Sequence, residues 1–174
     1  ALPLRRIAEP KQGHSHARNA AVAAARGSLL VWTDDDVLVG PDWLSAYVRA
    51  AAAHPAAGYF GGPIRPWFPH TPPGWVTRHL HRIGHSWALL DHGPECRRLR
   101  PDEAVFGANT AFRTSVVRRY PYNPTLGRVK DKLTSGDDSE VVARAAADGE
   151  FGVWVPDAPV DHYIPPARLT LGYL

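Results

Sequence analysis

The sequence predicts an α/β layered domain, and three observations carry that prediction. Helix-like and strand-like stretches alternate along the first fifty residues, in the β-α-β-α order expected of a sheet covered by helices. The apolar run Leu29–Thr33 has the length of a buried strand and stops at three adjacent acids, Asp34, Asp35 and Asp36. A chain of 174 residues, 44% apolar and 21% charged, can bury one sizeable core.

Taken in order, Leu4–Ile7 reads as a short strand. Residues 15–25 are Ala-rich and predict a helix, with Ser15 as its N-cap and Gly27 as its stop. Leu29–Thr33 is the next strand. Pro41 opens a second helix with Trp43, Leu44, Tyr47, Val48 and Ala51 at helical spacing. Residues 58–75, rich in Gly, Pro and aromatics, read as a short strand and an irregular loop, and 75–90 as a helix. Ala104–Arg113 is a further strand. Residues 121–136 show no periodicity and read as a mobile loop. Asp137–Asp148 predicts a helix with Val141, Val142 and Ala145 on its buried face and Gly149 stopping it. Phe151–Val155 and Val160–Ile164 are the last strands. Nothing divides the chain, so 1–174 reads as a single domain. The chain has no methionine, even at position 1, and on that hint is expected to be a fragment lacking its true N-terminus.

Composition narrows the function. The net charge of +3 is spread out, and its densest clusters (Arg97, Arg98, Arg100; Arg118, Arg119) carry no interleaved aromatics, which argues against nucleic acid. A single Cys96 excludes an intrachain disulfide and disfavours a Cys-based zinc site. It fits a reducing compartment. No apolar run approaches membrane-spanning length.

Three acids at a strand end repel one another, and a hard divalent cation is the usual offset. A polar turn explains the triplet about equally well. In Asp137-Asp138-Ser139-Glu140, Asp137 and Glu140 have capping-box spacing. Asp138 is not needed for a cap and is the candidate general base. Arg18 could offer its planar fork to a phosphate or a base edge, although an arginine on an Ala-rich helix taken in isolation reads rather as exposed to solvent. His81 and His85 share a helix face without the acid of a zinc motif and read as solvated, as do His14 and His16. Trp67, Trp75 and Trp87 suit either sugar stacking or core, with Trp87 leaning to core. Arg128, Lys130 and Lys132 suit either a lid over a diphosphate or a solvated loop.

Together these stretches resemble family 2 glycosyltransferases of the GT-A fold. The resemblance rests on Gly13-x-x-x-Ala17-Arg18-Asn19, the strand ending in Asp34-Asp35-Asp36, and Gly107-Ala108-Asn109-Thr110-Ala111-Phe112-Arg113. Gly136-Asp137-Asp138 with Arg144 and Val160-Asp161-His162 with Arg168 extend it to roughly residues 10–170. It implies a central mixed sheet flanked by helices and an inverting transfer from a nucleotide-diphosphate sugar to an acceptor hydroxyl. Asp36 and His162 would hold a divalent metal, Mn2+ or Mg2+. Asp34 and Asp35 would reach the ribose or diphosphate, Arg18 the nucleotide, and Asn109 the donor sugar or acceptor. Asp138 would be the base, with Asp137 beside it where the family usually has Glu.

The expected partners are a nucleotide-diphosphate sugar and a saccharide or lipid-linked acceptor, with no nucleic acid. The expected place is the cytoplasm, at the inner face of a membrane through peripheral association. The family's opening strand-helix-strand unit, which holds the base, has no counterpart before Gly13, so the fold is expected to be N-terminally truncated. Two other readings stay open: a non-catalytic fragment of the same fold, and an Asp-dependent phosphatase, which would need a Lys and a Ser/Thr at later strand ends.

Overall fold

The computed structural model of the chain describes residues 4–127 and 136–173. Residues 4–10 form no strand, because they pair with no neighbour; Leu4 stands out in solvent. Ala-rich sequence with one β-branched residue gives helix α1 (His14–Ala24). It starts after Gly13, whose φ of 138° favours glycine. Ser15 is no cap: it is the second helical residue and buried, and its hydroxyl donates to the Leu126 carbonyl at 2.8 Å. The helix ends at Ala25, ahead of Gly27.

Strand β1 (Leu29–Thr33) matches the apolar run residue for residue. After the three acids come β2 (Val37–Val39) and α2 (Trp43–Ala53). The buried stripe of α2 is Trp43, Ala46, Tyr47 and Ala50; Leu44 and Val48 face solvent. The expected stripe was therefore rotated, and the small alanines let the helix approach the sheet. Next come β3 (Tyr59–Gly61), β4 (Ile64–Trp67) and α3 (Gly74–Ile83), which gives way at Gly84 to a 3-10 turn, Gly84–Trp87. The helix expected to reach residue 90 thus ends early, and Ala88 turns the chain at φ 57°.

A two-residue β5 (Arg97–Arg98) precedes β6 (Asn109–Arg113), shorter than expected because residues 104–108 form a turn. The short helix α4 (Thr114–Arg119) was not anticipated. The expected lid cations Arg128, Lys130 and Lys132 lie outside the described residues. Helix α5 (Asp137–Ala147), β7 (Gly152–Trp154) and β8 (Val160–Tyr163) close the domain.

The strands form a mixed sheet in the order β1-β6-β3-β7-β5 and a small one in the order β2-β8-β4. In the large sheet only β3 and β7 run parallel. Phe60, Phe112, Tyr47, Val141 and Trp154 centre the main core, and Val76, Trp87 and Ile164 make a smaller one under α3. Two registers position the site. Thr33 opposite Asn109 brings the end of β1 beside the turn before β6, and Val37 opposite His162 brings Asp36 beside β8. No described helix is long and apolar enough to cross a membrane.

Candidate active site

Two acidic groups meet these junctions. The first is built on α5. Its N-cap is Gly136 at φ 101°, so Asp137 is already helical and no capping box forms. Glu140 pairs instead with Arg144 one turn on, Nε to Oε1 at 2.7 Å. Freed from capping, Asp137 is buried and its Oδ2 meets His14 Nδ1 at 3.0 Å and Arg18 Nη1 at 3.3 Å. Asp138 Oδ1 is hydrogen-bonded by the same Arg18 nitrogen. Burial pushes both acids up, but they part company. His14 and Arg18 outweigh burial at Asp137 and leave it below the usual carboxylate range. At Asp138 burial wins over Arg18 and leaves it above that range. A carboxylate raised toward neutrality is better matched to taking a proton than an ordinary one.

The second group is the strand-end triplet. Asp34 is half-buried and Asp35 exposed. The Asp36 side chain keeps 31% of its exposure and faces two bases: His162 Nε2 is 3.3 Å from Oδ1, and Arg168 Nη1 is 3.8 Å from Oδ2. His162 is buried, and its Nδ1 lies 2.8 Å from the Trp87 carbonyl. A carbonyl only accepts, so Nδ1 carries the hydrogen, and in the neutral ring Nε2 points a lone pair at Asp36. An imidazole oriented by a backbone carbonyl, beside a carboxylate, is an arrangement that metal sites use. Among the described residues no three His, Cys, Asp or Glu side chains converge to hold a metal. Ions that draw most of their ligands from water and phosphate need only one or two protein donors, and Asp36 offers a part-exposed carboxylate for that. The residues therefore fit such a cation. A cleft of about 340 Å³ opens here, walled by Asp35, Asp36, Leu38, Trp67 and Tyr163.

Two residues expected to meet a ligand lie in the interior instead. Asn109 is fully buried and its amide is used up inside the protein. Its oxygen accepts from Trp43 Nε1 and the Tyr47 hydroxyl, and its nitrogen donates to the Pro63 and Ala158 carbonyls. It ties β6 to α2 and reaches no cleft. Arg18 is 4% exposed and spent on the acid pair rather than turned toward a ligand. His14, expected to be solvated, joins that pair. Trp87 is core, Trp67 stays exposed against Tyr163, and His81 and His85 are exposed.

Residues 2–120 match the family model described as glycosyl transferase family 2. The chain is 26% identical over 168 residues to the succinoglycan biosynthesis protein ExoM of Rhizobium meliloti (strain 1021), covering 95% of this chain and 49% of that one. It thus spans about half of that relative's length. Among solved structures it resembles the mannosyltransferase PcManGT of Pyrobaculum calidifontis in complex with GDP-Man and Mn2+. That likeness has TM-score 0.58 and 22% identity over 94% of this chain and 39% of that one. It also resembles GalNAc-T7 with UDP, GalNAc and Mn2+, at TM-score 0.59 and 16% identity over 88% of this chain and 31% of that one. These likenesses show the fold, the GT-A arrangement expected from the sequence.

Proposed function

The chain belongs to glycosyl transferase family 2, and from that premise we propose that it carries the metal and base half of an inverting glycosyl-transfer site. The donor is a nucleotide-diphosphate sugar and the acceptor a saccharide hydroxyl, free or lipid-linked. The observation that carries the reading is the His162–Asp36 pair, with its imidazole turned by the Trp87 carbonyl. The Mn2+ in both named structural neighbours and their nucleotide or nucleotide-sugar ligands support it. The ExoM relative supports a role in polysaccharide biosynthesis. The family match sets the phosphatase reading aside.

Asp36 and His162 would hold the divalent cation, which when bound supplies Lewis-acid neutralisation of the departing diphosphate. Asp34 and Asp35 would approach the ribose or diphosphate from the strand end. Arg168, already beside Asp36, offers a two-pronged donor to phosphate oxygens. Asp138 takes the proton of the acceptor hydroxyl as its oxygen attacks the anomeric carbon. The bond from that carbon to the diphosphate breaks on the opposite face, its electron pair leaves with the diphosphate, and the configuration inverts. Asp137 holds Arg18 and His14 in place beside the base. Arg78, His79 and Arg82 on the exposed face of α3 support peripheral contact with an anionic membrane surface.

Calorimetry with UDP or GDP and Mn2+ tests this reading. Binding should appear with Mn2+, vanish with EDTA and vanish in Asp36→Ala. Heat absent with both nucleotides would overturn this reading.

A further inference from the structure

The resemblance assigns Arg18 to the nucleotide, but its surroundings assign it to the base. The guanidinium bonds Asp138 Oδ1 and Asp137 Oδ2 through one nitrogen. Its Cζ lies 5.5 Å from the Trp32 ring and 5.1 Å from the Tyr122 ring, within cation–π range of both. Turning it toward a ligand would break all four contacts and leave the buried Asp137 and the partly buried Asp138 without that counter-charge, which is unfavourable.

Its other terminal nitrogen faces Gly107. A Cβ at that position would overlap both Arg18 Nη2 and Asp138 Oδ2. The backbone therefore runs against the ion pair with no room for a side chain. Among the described residues Asp138 Oδ2 receives no hydrogen bond, whereas Oδ1 is held. The two oxygens of one carboxylate thus have different jobs: one is anchored, the other has no donor of its own.

We propose that Arg18 is the positioning residue of the transfer site, anchoring Asp138 through Oδ1 so that Oδ2, over Gly107, takes the acceptor's proton. The proposal rests on Asp138 being the base. The charged and titratable groups facing Asp138 are Arg18 and His14 from α1, Asp137 from α5, and Tyr122 from the segment after α4. Arg18 is the cation that bonds it directly, so it holds the carboxylate ionised as well as aimed.

Three readouts on Arg18→Gln and Arg18→Lys test this. The first is the titration of the Asp138 carboxyl by carbon-13 NMR, which needs no substrate. The second is the pH profile of kcat with donor and acceptor, and the third is Mn2+-dependent UDP or GDP affinity. In Arg18→Gln the Asp138 midpoint should rise and the acidic limb of kcat should move up with it. The kcat should fall about a hundredfold, the size of a general-base contribution, while nucleotide affinity stays within about twofold, well under the tenfold of 1.4 kcal/mol. Arg18→Lys keeps the charge, so the midpoint should return while kcat recovers only in part, because an ammonium lacks the stacked planar fork.

A loss of nucleotide affinity of tenfold or more with an unmoved Asp138 midpoint would overturn the proposal and restore Arg18 to the nucleotide. If Arg18→Gln does not fold, Arg18→Lys alone decides: kcat equal to that of the unchanged chain shows that geometry is not what Arg18 supplies. A chain that binds no nucleotide fails the transfer reading, yet its Asp138 titration still shows whether Arg18 anchors that carboxylate.

Discussion

Asp138 and Asp36 are carboxylates with opposite surroundings. Asp138 is enclosed, held by a buried arginine, and raised by burial above the usual range. Asp36 is part-exposed beside an open cleft, with His162 at 3.3 Å and Arg168 at 3.8 Å. In the proposed transfer site the difference separates two tasks. A base must be aimed and tuned by the protein before substrate arrives, because misplacement is costly in rate. A cation site for a diphosphate must leave coordination positions empty for water and phosphate. One acid is finished by the fold, and the other is finished by its ligands.

The largest expected effects set these tasks against each other. Asp138→Asn should lower transfer by about 10²–10⁴-fold, the range of general-base catalysis, with Mn2+-dependent nucleotide binding intact by calorimetry. Asp36→Ala should abolish that binding. Equal damage to binding in both variants would break the comparison. The pH profile sharpens it. Asp138 must be ionised to accept a proton, so activity falls as pH drops through its midpoint. That midpoint is raised, so the acidic limb should lie above the value of an ordinary aspartate. His162→Gln comes next: it removes one of the two proposed protein donors to the cation and should weaken Mn2+ affinity by about tenfold or more, on the scale of perturbed metal ligation. Asp138's titration should not move.

Much of the candidate site was legible and much of its wiring was not. Leu29–Thr33 and the acids after it announce themselves, because carboxylates break an apolar run of strand length, although the strand is half-buried at the sheet edge rather than buried as expected. Helix α5 is equally plain from its periodicity and Gly149. What pattern could not show is which partner each polar group finds across more than a hundred residues. Arg18 and Asp138 are 120 positions apart, and an arginine on an Ala-rich helix reads as solvated until the fold closes over it. Asn109 misleads for the same reason: a polar residue in a motif suggests a ligand, while here it satisfies buried groups of α2 and two loop carbonyls. Gly107 was visible only as a motif letter, since its role is the space it leaves. The Asp36 side could be read more directly, because His162 and Arg168 lie together near the end of the chain.

Glycines give a smaller effect that bears on enclosure alone. Gly107→Ala places a methyl against Arg18 and Asp138, and overpacking a close site costs about 1–3 kcal/mol. Gly40, near the open acids, has nothing within 4 Å of a built Cβ. Gly40→Ala should change stability by no more than about 0.5 kcal/mol, as at ordinary surface positions. Urea unfolding of both variants measures the contrast, and equal costs would mean that the Asp138 site is less tightly closed than its contacts indicate.

The smallest effect comes from a third carboxylate, which shows that ion pairing alone does not make a base. Glu103 accepts two hydrogen bonds from Arg97 at 2.7 Å, one from the Arg100 backbone at 2.8 Å, and an ion pair with the Arg100 side chain. The Arg97 hydrogen bonds, helped by His92 and Arg100, lower it to about 2. A depressed carboxylate stabilises the fold above its unfolded value, near 4.5, and that contribution is lost as pH falls toward 2. Glu103→Gln should therefore flatten the acid limb of stability between about 4.5 and 2, measured by thermal unfolding across pH, and leave transfer at neutral pH unchanged. Asp138 has one guanidinium, shared with Asp137, against its burial, and so it stays poised to accept a proton. Glu103 has more cations than it needs and cannot. A loss of transfer in Glu103→Gln would mean that the two acids are coupled, and that enclosure by arginine is not what distinguishes the catalytic carboxylate from a structural one.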